Sequence, residues 1–282
     1  MKKLLVATDL SERSAPAMQR ATQLMRKQGG GEWTWLHVVD DDAPEDFVTA
    51  HVQRAETLLQ EQAQQVAEQA GSRPRVLVLR GQVEEVIVEI AEQLHPDLIL
   101  VGLHRPSRLR DLFSGTTVAR VIRACHVPVL RVTDKVQGDY AHALLALDLS
   151  PASLQALQRA RELDLLDLEH CDAVYAITPI PVSVVAEVGN DRRLLQAQAR
   201  EAREQLLRGL EGAGVNLPEA RLHLPVGEPA HALELVRKET AADLLVMGTH
   251  ARQGIQRFLL GSIASRMLAD YLGDVLVVPP RV

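Results

Sequence analysis

The 282-residue chain has only two cysteines, Cys125 and Cys171, far apart and without metal-ligand spacing. So sparse a pair excludes a disulfide framework and reads as reduced thiols of a cytosolic protein. Positive charge is not in excess. Lys and Arg number 31 against 37 Asp and Glu, for a net charge of −6, which argues against a general DNA- or RNA-binding surface. No apolar run approaches the roughly 20 residues that span a bilayer. The opening "MKKLLVATDLSERS" meets Asp9 after too few apolar residues for a signal peptide, so it reads as a first strand. Catalytic signatures are also missing. There is no G-x-S-x-G elbow, no G-x-x-x-x-G-K-[S/T] loop, no H-E-x-x-H and no paired-cysteine zinc site. His104 and His250 each stand alone, which fits loop structure or ligand contact better than metal ligation. No residue is nominated as a general base. The sequence therefore points away from an efficient enzyme.

What is present is present twice. Gly102 is followed 13 positions later by Gly115-Thr116, and Gly248 is followed 13 positions later by Gly261-Ser262. "LLVATDLS" matches "ALLALDLS", pairing Asp9 with Asp148 and Ser11 with Ser150. "PDLILVGLH" matches "ADLLVMGTH", pairing Asp97 with Asp243, and Gly81 pairs with Gly227. The offset is 139 at Asp9/Asp148 and 146 at Gly102/Gly248, so the second copy carries about seven extra residues, expected in its middle loop. Two copies make a tandem duplication and not a solenoid. The expected domains are residues 1–135 and 140–282, joined by a linker near Thr133–Tyr140.

Within a copy, apolar strand patterns alternate with amphipathic helices. Strands are expected near Lys3–Thr8, Trp33–Val39, Arg75–Arg80, Leu98–Gly102 and Val129–Val132. Helices are expected near Glu12–Gln28, Phe47–Ala70, Val83–Leu94 and Thr116–Cys125, with Ser11 and Ser150 as N-caps. Ser150-Pro151 is a strong helix start. This alternation predicts an α/β fold, with two tandem flavodoxin-like or Rossmann-like domains. Each is a five-stranded parallel sheet of order 3-2-1-4-5 flanked by helices. The order reverses between strands 1 and 4, where a ligand lies beyond the strand C-termini. Asp9 and Gly102 flank that crevice in copy one, Asp148 and Gly248 in copy two. A glycine loop before a helix presents backbone N–H groups to an anion. Each of these residues also has a plainer reading, as turn-ordering acid, tight-turn glycine or helix start.

The joint pattern resembles the universal stress protein family in its tandem two-domain form, whose signature is G-x-x-G, nine residues, then G-[S/T]. Copy one reads "GLHRPSRLRDLFSGT" and copy two "GTHARQGIQRFLLGS". The resemblance covers nearly the whole chain. It implies a cytosolic, cytoplasmic stress-response protein with adenine-nucleotide pockets for ATP or AMP, with magnesium. The implied binding positions are Asp148, Ile177 or Thr178, Gly248, His250, Ala251, Gly261 and Ser262 in copy two. In copy one they are Asp9, Val39, Gly102, Arg105, Gly115 and Thr116. Arg105 and Ala251 replace the second signature glycine, where glycine permits close approach of a phosphate. Copy two is therefore expected to keep the more family-like pocket. The family pairs domains through the last strand, so "VPVLRV" and "DVLVVP" are expected to form a pseudo-dimer within the chain. Homodimerisation and protein partners stay open. The alternative is an interaction or scaffold protein with degenerate pockets. An enzyme acting on an adenylated or small anionic substrate ranks third.

Overall fold

The computed structural model describes residues 1–103, 117–133, 138–178, 191–251 and 258–280, with backbone alone at 191–194, 250–251 and 258–259. In the first half β1 (Lys3–Ala7), α1 (Ala15–Lys27), β2 (Glu32–Val39), α2 (Glu45–Ala70), β3 (Arg75–Arg80), α3 (Val83–Leu94), β4 (Leu98–Val101), α4 (Thr117–Ala124) and β5 (Val129–Arg131) follow one another. The second half repeats them as β6 (Ala143–Ala146), α5 (Pro151–Glu162), β7 (Cys171–Val174), α6 (Asp191–Gly212), β8 (Leu222–His223), α7 (Pro229–Thr240) and β9 (Leu244–Gly248). A short ribbon of β10 (His250–Ala251) and β11 (Phe258–Leu259) comes next, then α8 (Ser262–Asp270) and β12 (Asp274–Val278).

One ten-stranded sheet runs β3-β2-β1-β4-β5-β12-β9-β6-β7-β8. Pairing is parallel within each half, in the expected 3-2-1-4-5 order both times. The halves meet through antiparallel β5 and β12, so the terminal strands do pair within the chain. Successive strand residues point to opposite faces. Leu4 and Leu145 enter one apolar layer and Leu5 and Leu144 the other, and each layer extends across both halves. Each fully buried leucine in these layers contributes about 2 kcal/mol.

Local chemistry sets the element ends. Ser150 caps α5, accepting from the Ser153 N–H at 3.3 Å, with Pro151 behind it. In copy one the expected start at Glu12 is corrected. The helix begins at Ala15 with Ser14 as N-cap. The Ser14 N–H bonds the Ser11 carbonyl at 3.1 Å, and its hydroxyl shares a 2.9 Å hydrogen bond with that of Thr8. Residues 11–14 are thus held as a turn, and Ser11 is not the cap. The start of β1 is fixed by Asp97, whose Oδ2 accepts from the N–H groups of Lys2 and Lys3 at 2.6 and 3.0 Å. Asp243 does the same for Ala141 and His142 at 2.8 and 3.0 Å. The duplicated aspartate is therefore a strand anchor in both copies.

Register also locates the extra residues. The Gly81 N–H bonds the Val39 carbonyl, and the Gly227 N–H bonds that of Ile177. Val39 thus corresponds to Ile177 and Gly81 to Gly227, so the insertion lies between β7 and β8.

Candidate functional site

The crevice at the strand C-termini is built the same way in both copies. Asp9 ends β1, and its Oδ1 accepts from the Ser11 N–H at 3.0 Å and the Ser11 hydroxyl at 2.6 Å. Asp148 holds Ser150 through the same two bonds, at 3.0 and 2.5 Å. The intervening residue is left-handed in each case, Leu10 at φ 60° and Leu149 at φ 64°. Leucine disfavours that region, and such strain persists only where surroundings enforce it. The aspartates therefore do order their turns, and each also lines the cavity of its own copy.

The glycines divide into two kinds. A Cβ on Gly102 would lie 2.5 Å from the Arg13 carbonyl oxygen, and one on Gly248 would lie 2.5 Å from that of Ala152. Both let the fourth strand of their half pass close to the start of that half's first helix, so packing alone requires them. Gly261 has an ordinary φ of −59°, and a Cβ there would meet nothing within 4 Å among the described residues. It is the N-cap of α8 and supplies no side-chain cap to that helix. Nothing among the described residues needs a glycine here, but an anion approaching the N–H groups of α8 would.

In copy two these elements enclose a cavity of about 360 Å³. Asp148, Gly248, Gly261 and Ser262 contribute to it, with Ala176 and Thr178 from the segment after β7 and Pro229 and Leu233 from α7. Ile177, between Ala176 and Thr178, is not part of the wall. Its side chain is buried, its N–H bonds the Pro225 carbonyl at 2.8 Å and its carbonyl accepts from Gly227 at 3.0 Å. Val39, its counterpart, is placed alike, and Val38 lines the smaller crevice of copy one, about 110 Å³. Asp9, Gly102, Leu36 and Val118 also border that crevice. His250 and Ala251 pair with Leu259 and Phe258 across the β10–β11 ribbon. Arg105, Gly115, Thr116, His104 and the basic stretch 104–110 lie outside the described residues.

Sequence reasoning missed the α7 wall. Glu228 caps that helix, accepting from the Ala230 and His231 N–H groups at 3.1 and 3.0 Å, and pairs with Arg266 of α8 at 3.0 Å. The Ala230 N–H, foremost, holds its carboxyl below the ordinary value. Glu-Pro after the Gly227 turn is a legible helix-start signal that points to this wall.

The geometry defines a tandem Rossmann-like α/β protein with a strand-end cavity that is open in one copy and narrow in the other. Residues 1–133 and again 139–279 match the universal stress protein family, and the chain belongs to that family, whose members are stress-response proteins. Universal stress protein A homolog 1 of Coxiella burnetii is 32% identical over 144 residues, 49% of this chain and 96% of that protein. Universal stress protein E of Escherichia coli K12 is 24% identical over 305 residues, spanning 98% of this chain and 93% of the relative. A universal stress protein from Archaeoglobus fulgidus superposes with a TM-score of 0.67 at 20% identity, covering 98% and 96% of the two chains, a likeness of fold.

Proposed function

We propose that this chain is a stress protein that binds an adenine nucleotide, ATP or AMP, in the cavity of copy two, and that it acts through its ligand-dependent state and not by efficient turnover. The observation that carries this reading is Gly261. Among the described residues it is a glycine with no packing or backbone requirement, at a helix N-terminus without a side-chain cap, on the border of a 360 Å³ cavity. That volume falls within the roughly 300–1,000 Å³ of small-molecule sites. Asp148 would face the ribose or base, and the N–H groups of Ser262 and its neighbours would face the phosphates. Magnesium would accompany the phosphates of ATP. Residues 1–135 and 140–282 act as the two domains. A cytoplasmic setting suits the two reduced, buried cysteines.

The test is calorimetric titration of the purified protein with ATP and AMP, beside mass spectrometry of any nucleotide released on denaturation. Gly261→Val should abolish binding and leave the melting temperature close to wild type. Undiminished affinity in that variant would sink the proposal. A wild-type protein that is empty and gives no heat would favour the scaffold reading, which the narrow crevice of copy one supports.

A further inference from the structure

We infer that the chain holds one nucleotide and not two, because three side chains in copy one, Leu36, Val38 and Val118, fill space that Val174, Ala176 and Ala264 leave open in copy two. The inference rests on the nucleotide reading of copy two and concerns which residues restrict it to that copy.

Strand register supplies the correspondence. Ala7 pairs with Leu36 across β1 and β2, and its repeat partner Ala146 pairs with Val174 across β6 and β7. The Thr8 N–H bonds the Leu36 carbonyl at 3.0 Å as the Leu147 N–H bonds that of Val174 at 2.9 Å. Val38 therefore stands where Ala176 stands, and both line their cavities. Val118 and Ala264 are equivalent by the offset of 146 that relates Gly102 to Gly248, and both line their cavities in the first turn of the helix after the glycine loop.

At all three places copy one has the larger residue. Two of the three are β-branched against alanine, with side chains stiff at χ1 that cannot swing aside. Leu36 and Val118 are also buried, so packed neighbours block their escape. Three positions run the other way, Leu147 against Thr8, Met247 against Val101 and Ile263 against Thr117. Met247 is unbranched and adaptable, and the copy-two cavity is the larger one in spite of all three. The resulting volumes, about 360 and about 110 Å³, lie on opposite sides of the roughly 300 Å³ at which small-molecule pockets begin.

The experiment is equilibrium dialysis of the full chain against ATP with Mg²⁺, and separately against AMP, read as moles bound per mole of protein. Wild type should bind one. An opening variant, Leu36→Val with Val38→Ala and Val118→Ala, should bind two. A closing variant, Ala176→Val with Ala264→Val, should lose binding at least tenfold and keep its cooperative melting transition. If the opening variant fails to fold, the closing variant decides alone. An opening variant that folds and still binds one overturns the inference, as does a closing variant with wild-type affinity. Wild type binding two also overturns it but leaves the nucleotide reading standing. Wild type binding none removes that reading, and the inference with it.

Discussion

Leu130 and Leu276 are equivalent residues of the two copies, and they pair with each other across β5 and β12. Their neighbours exchange in the same sense, Val129 with Val277 and Arg131 with Val275. This is the self-complementary contact of a two-fold dimer, placed within one chain. Arg131 departs from the symmetry, since its counterpart is Val277. It is buried and donates to the carbonyls of Tyr271 and Gly273 at 2.7 and 2.9 Å, just past the end of α8, where a cation complements the helix dipole. Burial lowers its pKa to about 10, so it stays charged at neutral pH.

A second equivalent pair, Arg20 and Arg159, should show unequal energetics. Each reaches into the opposite half. Arg20 is buried, donates to the Gly138 carbonyl at 2.6 Å, lies 3.7 Å from Asp274 and stacks over Tyr140 at 4.0 Å. Arg159 is partly exposed and reaches the Asp97 carbonyl at 3.2 Å. Arg20→Met should cost about 3 kcal/mol, because it removes from the buried Asp274 one of the two cations, with Arg131, that offset its charge. Arg159→Met should cost under about 1 kcal/mol. Urea denaturation of both variants decides, and equal losses would contradict the assignment.

Gly248→Ala and Gly102→Ala should each destabilise by about 2–3 kcal/mol through overpacking. The clashing partners are backbone carbonyls of Ala152 and Arg13 at 2.5 Å, which move only if a helix start moves. Gly261→Ala should change stability by less than about 0.5 kcal/mol. Melting curves of the three variants check the contrast.

Both thiols should be silent in the native protein. Burial first, then the Asp172 charge, pushes the Cys171 pKa up to about 12, and burial raises Cys125 as well. A disulfide reagent at pH 8 should titrate no thiol natively and two after unfolding in guanidinium. Prompt native reaction of Cys171 would be incompatible with its place in the core.

Asp97 should contribute an acid-sensitive part of stability. Burial pushes its carboxyl upward, but the Lys2 and Lys3 N–H groups, the N-terminal charge and Arg159 outweigh that and hold it below 3.8. A folded-state pKa below the unfolded one means stability present above about pH 4 and lost as pH falls through the folded value. The difference in melting temperature between wild type and Asp97→Asn should therefore be largest near neutrality and shrink below pH 4. A pH-independent difference would show that the anchor works without its charge.

The sequence alone determined the features that arise from local pattern. β3 and α3 lie at their expected bounds, because a short apolar run between arginines specifies a strand and apolar residues at helical spacing a helix, each without distant help. The duplicated Asp, serine and glycine positions marked the strand-end crevice and the parallel 3-2-1-4-5 sheets, since short alternating elements have few right-handed ways to wind. The start of α1 was not legible, because the Ser14 hydroxyl is held by the Thr8 hydroxyl, brought up by β1, and by the Ser11 carbonyl, which keeps residues 11–14 as a turn ahead of the helix. The α7 wall, the crossing of Arg20 to Asp274 and the exclusion of Ile177 from the cavity were likewise decided only in three dimensions. So was the difference between the copies. Leu36, Val38 and Val118 are ordinary apolar residues in the sequence. They become obstacles only when sheet register and the helix after the glycine loop bring them to one crevice, because cavity volume belongs to side chains that meet in space from distant parts of the chain.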